Sequence, residues 1–570
     1  MEIDEVKTLI TERVDEVYKN LRTEQRRDEE FYELKFGKSI PLPKNMRVSL
    51  PNSARELVDI PLSHLLSGKV IATQPARRVG EEYEKMSMRV DGWLAGWIDM
   101  LLKESPSPLV MGMCYMLLRG EVVWKVVYDE DRWKSKDKLN NFPIRLIAVD
   151  PVKAFPHPTK GGRVIPINMV EHYKRTVGDI RETWGDLDAL KSMRADAEVD
   201  WDEFWSDTQR CFLANGESIW EGGMQKNHYS FTPYVHFYAG LGQSSIDGDI
   251  ETLARSIIYP YRDLLIIQAR LLSQIESIID LFAWPGVVKY GTFEVDHEID
   301  FSQPGWEVRV SLPRAQAEIE FIRGLAPPQE VFALYGLVTS IIQGGGLQPA
   351  MRGEVAGRSG LQLEAAIGEG RRRWERTARN YENSLAVALG LGLRLIDTVI
   401  KEPVGIKTME IKDGGKAVAG EVALKPTDIN NYYVVDVSLE PEDEVETARR
   451  KALGADMQGR GVISWKGNLI RYHKMTPAQA DEEIQRSLAE KFVMSSPEIA
   501  SAMGFAAAEE LGMLRELEGA EMAAEREKSE GKRLEKRGAP PIKQGPAYPA
   551  PGPAPYDMAA SEIEQGLKNA

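Results

Sequence analysis

The sequence predicts an α+β protein built around three long helices, and three observations carry that prediction. Apolar residues recur every three or four positions over residues 251–283, 327–343 and 361–400, which is typical of one face of a helix. Residues 284–326, between the first two helices, combine turn residues with alternating apolar residues, which indicates strands. Residues 344–360, between the last two helices, contain six glycines and one proline, which indicates a loop.

The three helices differ in how they begin and end. Pro260 falls in the first turn of the first helix or kinks it. The second helix is opened by Pro327-Pro328 and is expected to stop at Gly344-Gly345-Gly346. The third begins at a capping-box pattern of Ser359 and Gln362, and its roughly 40 residues would measure about 60 Å. The predicted apolar stripes are Ile257, Tyr261, Leu264, Leu271, Ile275, Ile279 and Phe282 in the first helix, Val331, Leu334, Val338, Ile341 and Ile342 in the second, and Trp374, Ala378, Tyr381, Leu385, Leu389, Gly392, Ile396 and Val399 in the third.

The amino-terminal part, residues 1–250, mixes helices and strands. Helical spacing predicts helices over residues 1–35 and 81–118, and a short helix with Asn52 or Ser53 as its cap lies between them. Alternating apolar residues predict two neighbouring strands in GEVVWKVVYDED and FPIRLIAVDP. A strand leading into a short helix is expected in INMVEHYKRTVGDIRETWG, and a further strand in YVHFYAGL.

The carboxyl-terminal part predicts strands, then helices, then a disordered tail. In residues 401–440, the segments GIKTMEIKD, KAVAGEVALKP and NYYVVDVSLEP are expected to form a β meander. Residues 441–525 are expected to be helical, with one helix from Pro441 through Leu453 and short helices after Thr476 and Ser496. Residues 526–570 contain a proline-rich stretch and are expected to be disordered or extended as polyproline II.

Composition bounds the class of protein. The 570 residues are 43% hydrophobic and 28% charged, so the chain can bury a sizeable core. The amino terminus has no basic leader and no run approaches eighteen apolar residues, so we expect no signal peptide, no membrane span and synthesis in the cytoplasm. The net charge of −15 argues against a protein that holds nucleic acid by neutralising phosphates. The basic runs 371–373 and 449–451 are interleaved with acids, as on solvated helix faces.

The motifs that carry enzymatic chemistry are missing from the sequence. It has no phosphate-binding GxxxxGK[ST] loop, no HExxH or CxxC pair and no GxSxG nucleophile turn. The seven histidines are scattered without helical metal-ligand spacing, and Cys114 and Cys211 are interpreted as packing residues. We therefore expect no catalytic residues, no metal site and no cofactor.

The order of these segments resembles the portal proteins of tailed bacteriophages. The stretch LARSIIYPYRDLLIIQARLLSQIESIIDLFAWPG looks like the first stem helix of that family, and PPQEVFALYGLVTSIIQGGG looks like the second. The glycine-rich segment ending in Arg358-Ser359-Gly360 is similar to the family's tunnel loop. Further on, VSLEPEDEVETARRKALGADMQGRGVISWKGNLIRY is similar to a family pattern in which a strand, a helix and a Gly-Val-Ile-Ser turn follow one another. The resemblance covers roughly residues 20–500 and rests on order and spacing.

The resemblance assigns each segment a place in a portal-type subunit. The implied regions are an N-terminal wing region (1–250), the first stem helix (251–283), the β-rich clip (284–326), the second stem helix (327–343), the tunnel loop (344–360), a long channel and wing helix (361–400), wing strands (401–440), a helical crown (441–525) and the tail (526–570).

The resemblance also implies a function. A ring, usually of twelve subunits, would occupy one vertex of the capsid in the virion after assembly in the host cytoplasm. The terminase large subunit would drive double-stranded DNA through the ring, with the major capsid and scaffolding proteins around it and a head-completion adaptor below. An acidic surface suits DNA that passes without tight binding. The residues implied nearest the DNA are Gln343, Gly344, Gly345, Gly346, Gln348, Arg352, Glu354, Gly357 and Gly360.

Four alternatives remain open. The glycine-rich segment could be an ordinary surface turn between two helices. The chain could be another head-tail connector or adaptor ring, which would not need this order of segments. An enzyme acting on DNA would need clustered carboxylates for Mg²⁺ and a basic track. A helical scaffold for an unknown partner would have no reason to form a closed ring.

Overall fold

A computed structural model shows a chain of mixed helix and strand, in agreement with the predicted α+β class. The structure describes residues 2–43, 46–130, 142–159, 163–187, 190–242, 249–283, 286–291, 307–311, 319–322, 328–346, 374–412, 416–440, 444–473, 480, 483–488 and 491. The chain divides into two compact units, Met1–Thr447 and Ala448–Ala570.

The helices have the following bounds in chain order: α1 (Ile3–Glu12), α2 (Lys19–Tyr32), α3 (Ser53–Leu66), α4 (Glu81–Lys103), α5 (Pro108–Arg119), α6 (Val177–Trp184), α7 (Ile250–Leu253), α8 (Arg262–Ala283), α9 (Gln329–Gly346), α10 (Glu375–Leu395), α11 (Pro426–Ile429), α12 (Glu444–Gly459) and α13 (Trp465–Arg471). A π-helical segment, Arg13–Val17, joins α1 to α2, and a second one, Ile396–Ile400, extends α10.

The strands are β1 (Lys69–Thr73), β2 (Glu121–Tyr128), β3 (Ile144–Val149), β4 (Ala154–Pro156), β5 (Asn168–Thr176), β6 (Glu198–Ser206), β7 (Gln209–Ala214), β8 (Glu217–Ser218), β9 (Gln225–Lys226), β10 (Tyr234–Tyr238), β11 (Gly286–Gly291), β12 (Glu307–Ser311), β13 (Ile319–Ile322), β14 (Val404–Lys412), β15 (Lys416–Leu424) and β16 (Asp436–Glu440). They form sheets in the orders β4-β5-β6-β7-β8 with β9 beside β7, β10-β2-β3, β12-β11-β13, β14-β15 and β1-β16.

Helix α10 lies in the main core of the first unit. Its buried side chains include Tyr381, whose hydroxyl donates to the Leu109 carbonyl at 2.8 Å on α5. The indole of Trp124 on β2 donates to the Ser384 hydroxyl at 3.0 Å. These two bonds satisfy polar groups that would otherwise be buried without partners, so they fix α10 against α5 and the β10-β2-β3 sheet.

The amino-terminal helix is tied to the same sheet by buried charges. Arg22 of α2 pairs with the carboxylate of Glu121 on β2, and His236 of β10 contacts the other Glu121 oxygen at 2.7 Å. Burial alone would raise the pKa of Glu121, but Arg22 and His236 lower it to about 2. Gln25 and Arg119 exchange bonds of 2.7 Å, each side chain donating to the other's backbone carbonyl. Helix α2 is therefore held by directed polar contacts as well as by packing.

Several predicted helix bounds were wrong. The helix expected over 81–118 is two helices, α4 and α5, because prolines at 106 and 108 interrupt the backbone ladder. The helix expected from 251 begins at Arg262, after the short helix α7 and a 3₁₀ turn, Tyr259–Tyr261, that contains Pro260. The helix expected from Pro441 is described from Glu444 and continues through Gly459, beyond Leu453. The part of the long helix predicted at 361–373, with its Ser359 cap, lies outside the described residues.

The predicted strands of residues 120–176 and 234–238 are confirmed, but the meander of 401–440 was wrong. Strands β2 and β3 pair in antiparallel register, as expected. Only β14 and β15 form the expected hairpin, whereas β16 pairs with β1 in the register Lys69↔Glu440 to Thr73↔Asp436. The helix α11 intervenes between β15 and β16 and carries the chain away from the hairpin. Strands β1, β4, β6, β7, β8 and β9 were not predicted at all.

The described part of the second unit contains most of α12, from Ala448 onward, and the whole of α13. Ser464 caps α13 by accepting a bond from the Gly467 amide at 3.0 Å. Asn468 donates to the Gln458 side chain at 2.7 Å, which links the two helices. The short helices predicted after residue 476 and the tail at 526–570 fall largely or wholly outside the described residues.

We expect Gly392→Ala to destabilise the protein. A Cβ at Gly392 on α10 would lie 2.3 Å from the ring of Trp97, which is fully buried on α4 and has no room to move. Overpacking of this kind costs about 1–3 kcal/mol, more than alanine gains in a helix. Thermal unfolding of the Gly392→Ala variant and of the wild type measures the change in stability.

The matched control is Gly336→Ala on α9, where the added methyl meets nothing within 4 Å. That change should stabilise the protein by up to about 1 kcal/mol. Equal stabilisation by both substitutions would contradict close packing of α4 on α10.

Candidate functional site

Helices α8 and α9 form a hairpin whose far end extends beyond the core. Leu265 and Ala269, near the start of α8, are fully buried, whereas Ile279 near its end is 49% exposed. In α9 the order is reversed, since Gln329 is exposed and Ile342 is buried. The two helices therefore run in opposite directions, with the start of α8 and the end of α9 at the core.

One face of α9 closes the hairpin. Val338 and Ile342 are buried in the main core, and Val331 and Tyr335 are half-buried on the same face. Gln268 of α8 donates to the Thr339 hydroxyl at 2.9 Å, which fixes the register of the two helices. These four residues are the apolar side chains of α9 that pack against the main core.

A second apolar stripe on α9 is exposed. Leu334, Leu337 and Ile341 are 44%, 56% and 46% exposed, and their spacing of three and four places them on one flank of the helix. At about 100° per residue this flank lies about a quarter-turn from the buried face. Phe332, 44% exposed, lies about a quarter-turn to the other side. Exposed apolar side chains therefore lie on both sides of the buried face of α9 and offer surface to another molecule.

The sequence-based stripe of α9 merged these two faces. It joined Leu334 and Ile341, which are exposed, to Val331, Val338 and Ile342, which face inward. It omitted Leu337, the most exposed of the apolar residues on this helix. The separate recurrence of 334, 337 and 341 was the signal that could have found it.

Charged side chains hold the start of α8. Arg262 is buried, and its Nε donates to Asp28 Oδ1 of α2 at 2.6 Å while its Nη1 pairs with the Glu24 carboxylate. Burial alone would raise the pKa of Glu24, but Arg262, Arg27 and Arg255 bring it below its usual value. For Asp28 burial prevails, and its pKa is raised although it is bonded to Arg262. No pattern in the sequence links these residues, because they lie far apart in the chain.

The structure covers the beginning of the predicted tunnel-loop set. Gln343 is half-buried and Gly344 is exposed at the end of α9. Helix α9 ends within the three glycines, at Gly346, three residues beyond the bound of 343 expected for the second stem helix. Glycine costs only about 1 kcal/mol per residue in a helix, which the preceding apolar turns can offset. Gln348, Arg352, Glu354, Gly357 and Gly360 lie outside the described residues.

The insert between α8 and α9 forms strands, as predicted. Strand β11 pairs with β12 in parallel and with β13 in antiparallel register, so β11 is central. This small sheet lies in the chain between the exposed ends of the two helices. Its neighbours in sequence place it at the far end of the hairpin.

A second cluster of charges lies between two sheets of the first unit. Lys125 of β2 donates to Glu171 of β5 at 2.8 Å and to Glu203 of β6 at 2.6 Å. The hydroxyls of Tyr234 and Tyr173 donate to Glu171 and Glu203, each at 2.9 Å. Burial opposes the charge of Lys125, but the two carboxylates raise its pKa. Burial raises the pKa of Glu171, while Lys125 keeps that of Glu203 low.

This cluster has the residue types of an acid–base site but the position of a structural one. All five side chains are buried or half-buried between the sheets, so a substrate has no direct approach. Among the described residues, no three His, Cys, Asp or Glu side chains are placed to share a metal ion. Cys114 and Cys211 are free, and burial raises the pKa of each to about 11, so neither is a ready nucleophile.

One described helix has the length and apolar composition of a membrane span. It comprises α10 and its π-helical extension, Glu375–Ile400, and most of it is buried in the core. No protein-family model matches the chain, and a search of curated proteins found no match.

We expect Lys125→Met to lower stability by about 3–5 kcal/mol, because it leaves two carboxylates buried without a cation. Buried carboxylates have raised pKa values, so the variant is most stable below the unfolded-state pKa and loses stability as the pH rises through the folded-state pKa. The deficit should therefore be larger at pH 8 than at pH 5. Urea unfolding followed by tryptophan fluorescence measures it at both pH values.

Lys103→Met is the matched control, since it removes an exposed ion pair with Asp99 on one helix. It should leave the unfolding midpoint almost unchanged at both pH values. A Lys125→Met deficit independent of pH would contradict the paired-carboxylate account.

Proposed function

We propose that the chain is the portal protein of a tailed bacteriophage, the ring through which double-stranded DNA is packaged and later ejected. The single observation that carries this proposal is the exposed apolar surface of α9 in the α8–α9 hairpin, a segment that the sequence resemblance assigns to the portal stem. The sequence resemblance suggests that the assembly is a portal ring. The exposed apolar surface of the hairpin gives a physical reason for subunits to associate.

The position of the apolar flanks favours a cyclic assembly. Leu337 and Phe332 lie on opposite sides of the buried face of α9, so each hairpin would contact two neighbours through different surfaces. Head-to-tail contacts of this kind generate rings when the rotation closes. A simple two-fold dimer would cover one flank and leave the second exposed.

Charge supports a channel for DNA over a site that grips it. The chain carries 87 acidic and 72 basic residues, so its net charge repels phosphates. Weak contact suits a polymer that has to move, because each lysine or arginine bound to phosphate adds affinity that translocation must break. An enzyme that acts on DNA would need the opposite balance, and we propose no catalytic role.

The proposal extends to partners and place. The terminase large subunit would dock on the ring, with the major capsid and scaffolding proteins around it and a head-completion adaptor attached after packaging. The protein would lie at a capsid vertex of the virion. The alternative, another connector ring of the same particle, would share the ring and the mixture of strands and helices but would not need this order of helix, insert, helix, glycine-rich segment and long helix.

Leu337→Lys should prevent ring formation. A charge on the exposed stripe between Leu334 and Ile341 would have to be buried against the neighbouring hairpin, at a cost of several kcal/mol. We expect the wild type to have several times the 64.0 kDa mass of one chain by light scattering and to appear as rings with a central hole by electron microscopy. The variant should be predominantly monomeric at micromolar concentration.

Leu102→Lys on α4 is the control, because Leu102 is also exposed, at 45%, but lies outside the hairpin. It should leave the rings intact. A wild-type chain that stays monomeric would overturn the portal proposal, as would a Leu337→Lys protein that forms normal rings.

Replacing residues 286–322 by a short Gly-Ser linker should separate ring formation from motor docking. The stripe on α9 is retained, so rings should still form, but the sheet β11–β13 proposed as the docking clip is lost. Binding of the terminase large subunit of the same phage, measured by co-sedimentation with the rings, should fall to background.

Truncation after residue 525 is the comparison, since it removes the proline-rich tail and keeps the sheet. The truncated protein should bind the motor as the full chain does. Undiminished docking to rings that lack residues 286–322 would place the motor contact elsewhere.

A further inference from the structure

The first residue of α8, Arg262, is held by α2, although 234 residues separate Arg262 from Asp28 in the chain. Arg262 Nε donates to Asp28 Oδ1 at 2.6 Å, and its Nη2 donates to the Glu24 carbonyl at 2.8 Å. The second oxygen of Asp28 accepts from the Ser256 hydroxyl at 2.7 Å. One short section of α2 therefore holds both the start of α8 and the turn that precedes it.

An aromatic ring fixes the face of the same guanidinium. The Arg262 side chain lies over Tyr259 at 4.7 Å, and Arg255 lies over the same ring at 4.0 Å. The guanidinium of Arg262 is thus bonded in its plane to two acidic residues, and the ring of Tyr259 packs against its face. Hydrogen bonds from several nitrogens of one guanidinium permit only one orientation of the arginine. Apolar packing of Ile258 and Leu265 alone would let α8 slide along α2.

A small change in the orientation of α8 at Arg262 displaces the far end of the helix by several ångströms. Its 22 residues span about 33 Å, so a tilt of about 10° at Arg262 moves the far end by about 6 Å. Close-packed interfaces do not absorb displacements of that size. The orientation of α8 at its base therefore decides whether the exposed stripe of α9 meets its counterpart on the next hairpin.

We propose that Glu24 and Asp28 are positioning residues that set the angle of the α8–α9 hairpin and, through it, the number of subunits at which the ring closes. The inference rests on the proposed ring function and deepens it by naming the contacts that regulate closure. The two carboxylates act through their bonds to Arg262.

The test uses Asp28→Asn and Glu24→Gln in the full-length protein. Both changes keep the size and shape of the side chain and remove its charge from Arg262. Native mass spectrometry counts the subunits in each ring, and thermal unfolding reports the stability of the subunit. We expect the wild type to give one dominant ring size and the variants to spread over neighbouring sizes, with about a tenfold loss of the dominant ring relative to the others, equivalent to about 1.4 kcal/mol.

Lys125→Met provides the control for stability. It breaks a buried ion cluster in the same unit whose ion pairs do not reach α8. We therefore expect Lys125→Met to lower the melting temperature of the protein without broadening the distribution of ring sizes. Arg262→Lys keeps the charge but loses the planar guanidinium, and we expect it to spread the ring sizes as the carboxylate variants do.

The outcomes distinguish the inference from the proposed function. Wild-type rings together with variant rings of unchanged subunit number would overturn the inference and leave the portal proposal standing. A wild-type chain that forms no ring would overturn both. If Asp28→Asn does not fold, Glu24→Gln decides, because Glu24 is partly exposed and its loss leaves Asp28 bonded to Arg262.

Discussion

The fold of the first unit depends on burying the charges of α2 without leaving any of them unpaired. Arg22 meets Glu121 on β2, and Asp28 meets Arg262 on α8. Arg119 of α5 donates a hydrogen bond to the backbone carbonyl of Gln25 on α2. An unpaired charge in any of these positions would cost several kcal/mol, a large fraction of the stability of a domain. The sheet, α5 and the base of the hairpin are therefore located relative to a single helix.

Local periodicity in the sequence predicted where helices and strands occur better than it predicted which strands pair with one another. Strands β2 and β3 were found because their apolar residues alternate and their chain separation is short. Strand β6 was missed because Glu203 occupies an inward position that the alternating pattern reserves for an apolar residue, and its pairing with Lys125 is invisible in sequence. The pairing of β1 with β16 joins distant parts of the chain, which no local pattern records.

The candidate site was predicted in outline only. The sequence located two apolar helices around a strand-forming insert, and the described residues contain all three. It did not separate the face of α9 that closes the hairpin from the stripe that remains exposed, because both recur at helical spacing. Glycine was given too much weight as a helix terminator at Gly344, since three glycines at the end of an apolar helix cost less than its packing contributes. The anchoring of Arg262 depends on tertiary contacts alone.

The π-helical segment Arg13–Val17 constrains how the amino terminus can change in length. A π turn holds one residue more than an α turn, so it rotates α1 by about 100° relative to the position that a continuous α-helix would give it. With that rotation Val6 and Ile10 of α1 pack in the same apolar cluster as Leu21 of α2, together with Phe155 and Phe204. Loss of a single residue here would turn α1's apolar side towards water, whereas extension ahead of Glu2 leaves the rotation unchanged. Insertions and deletions are thus tolerated unequally on the two sides of this segment.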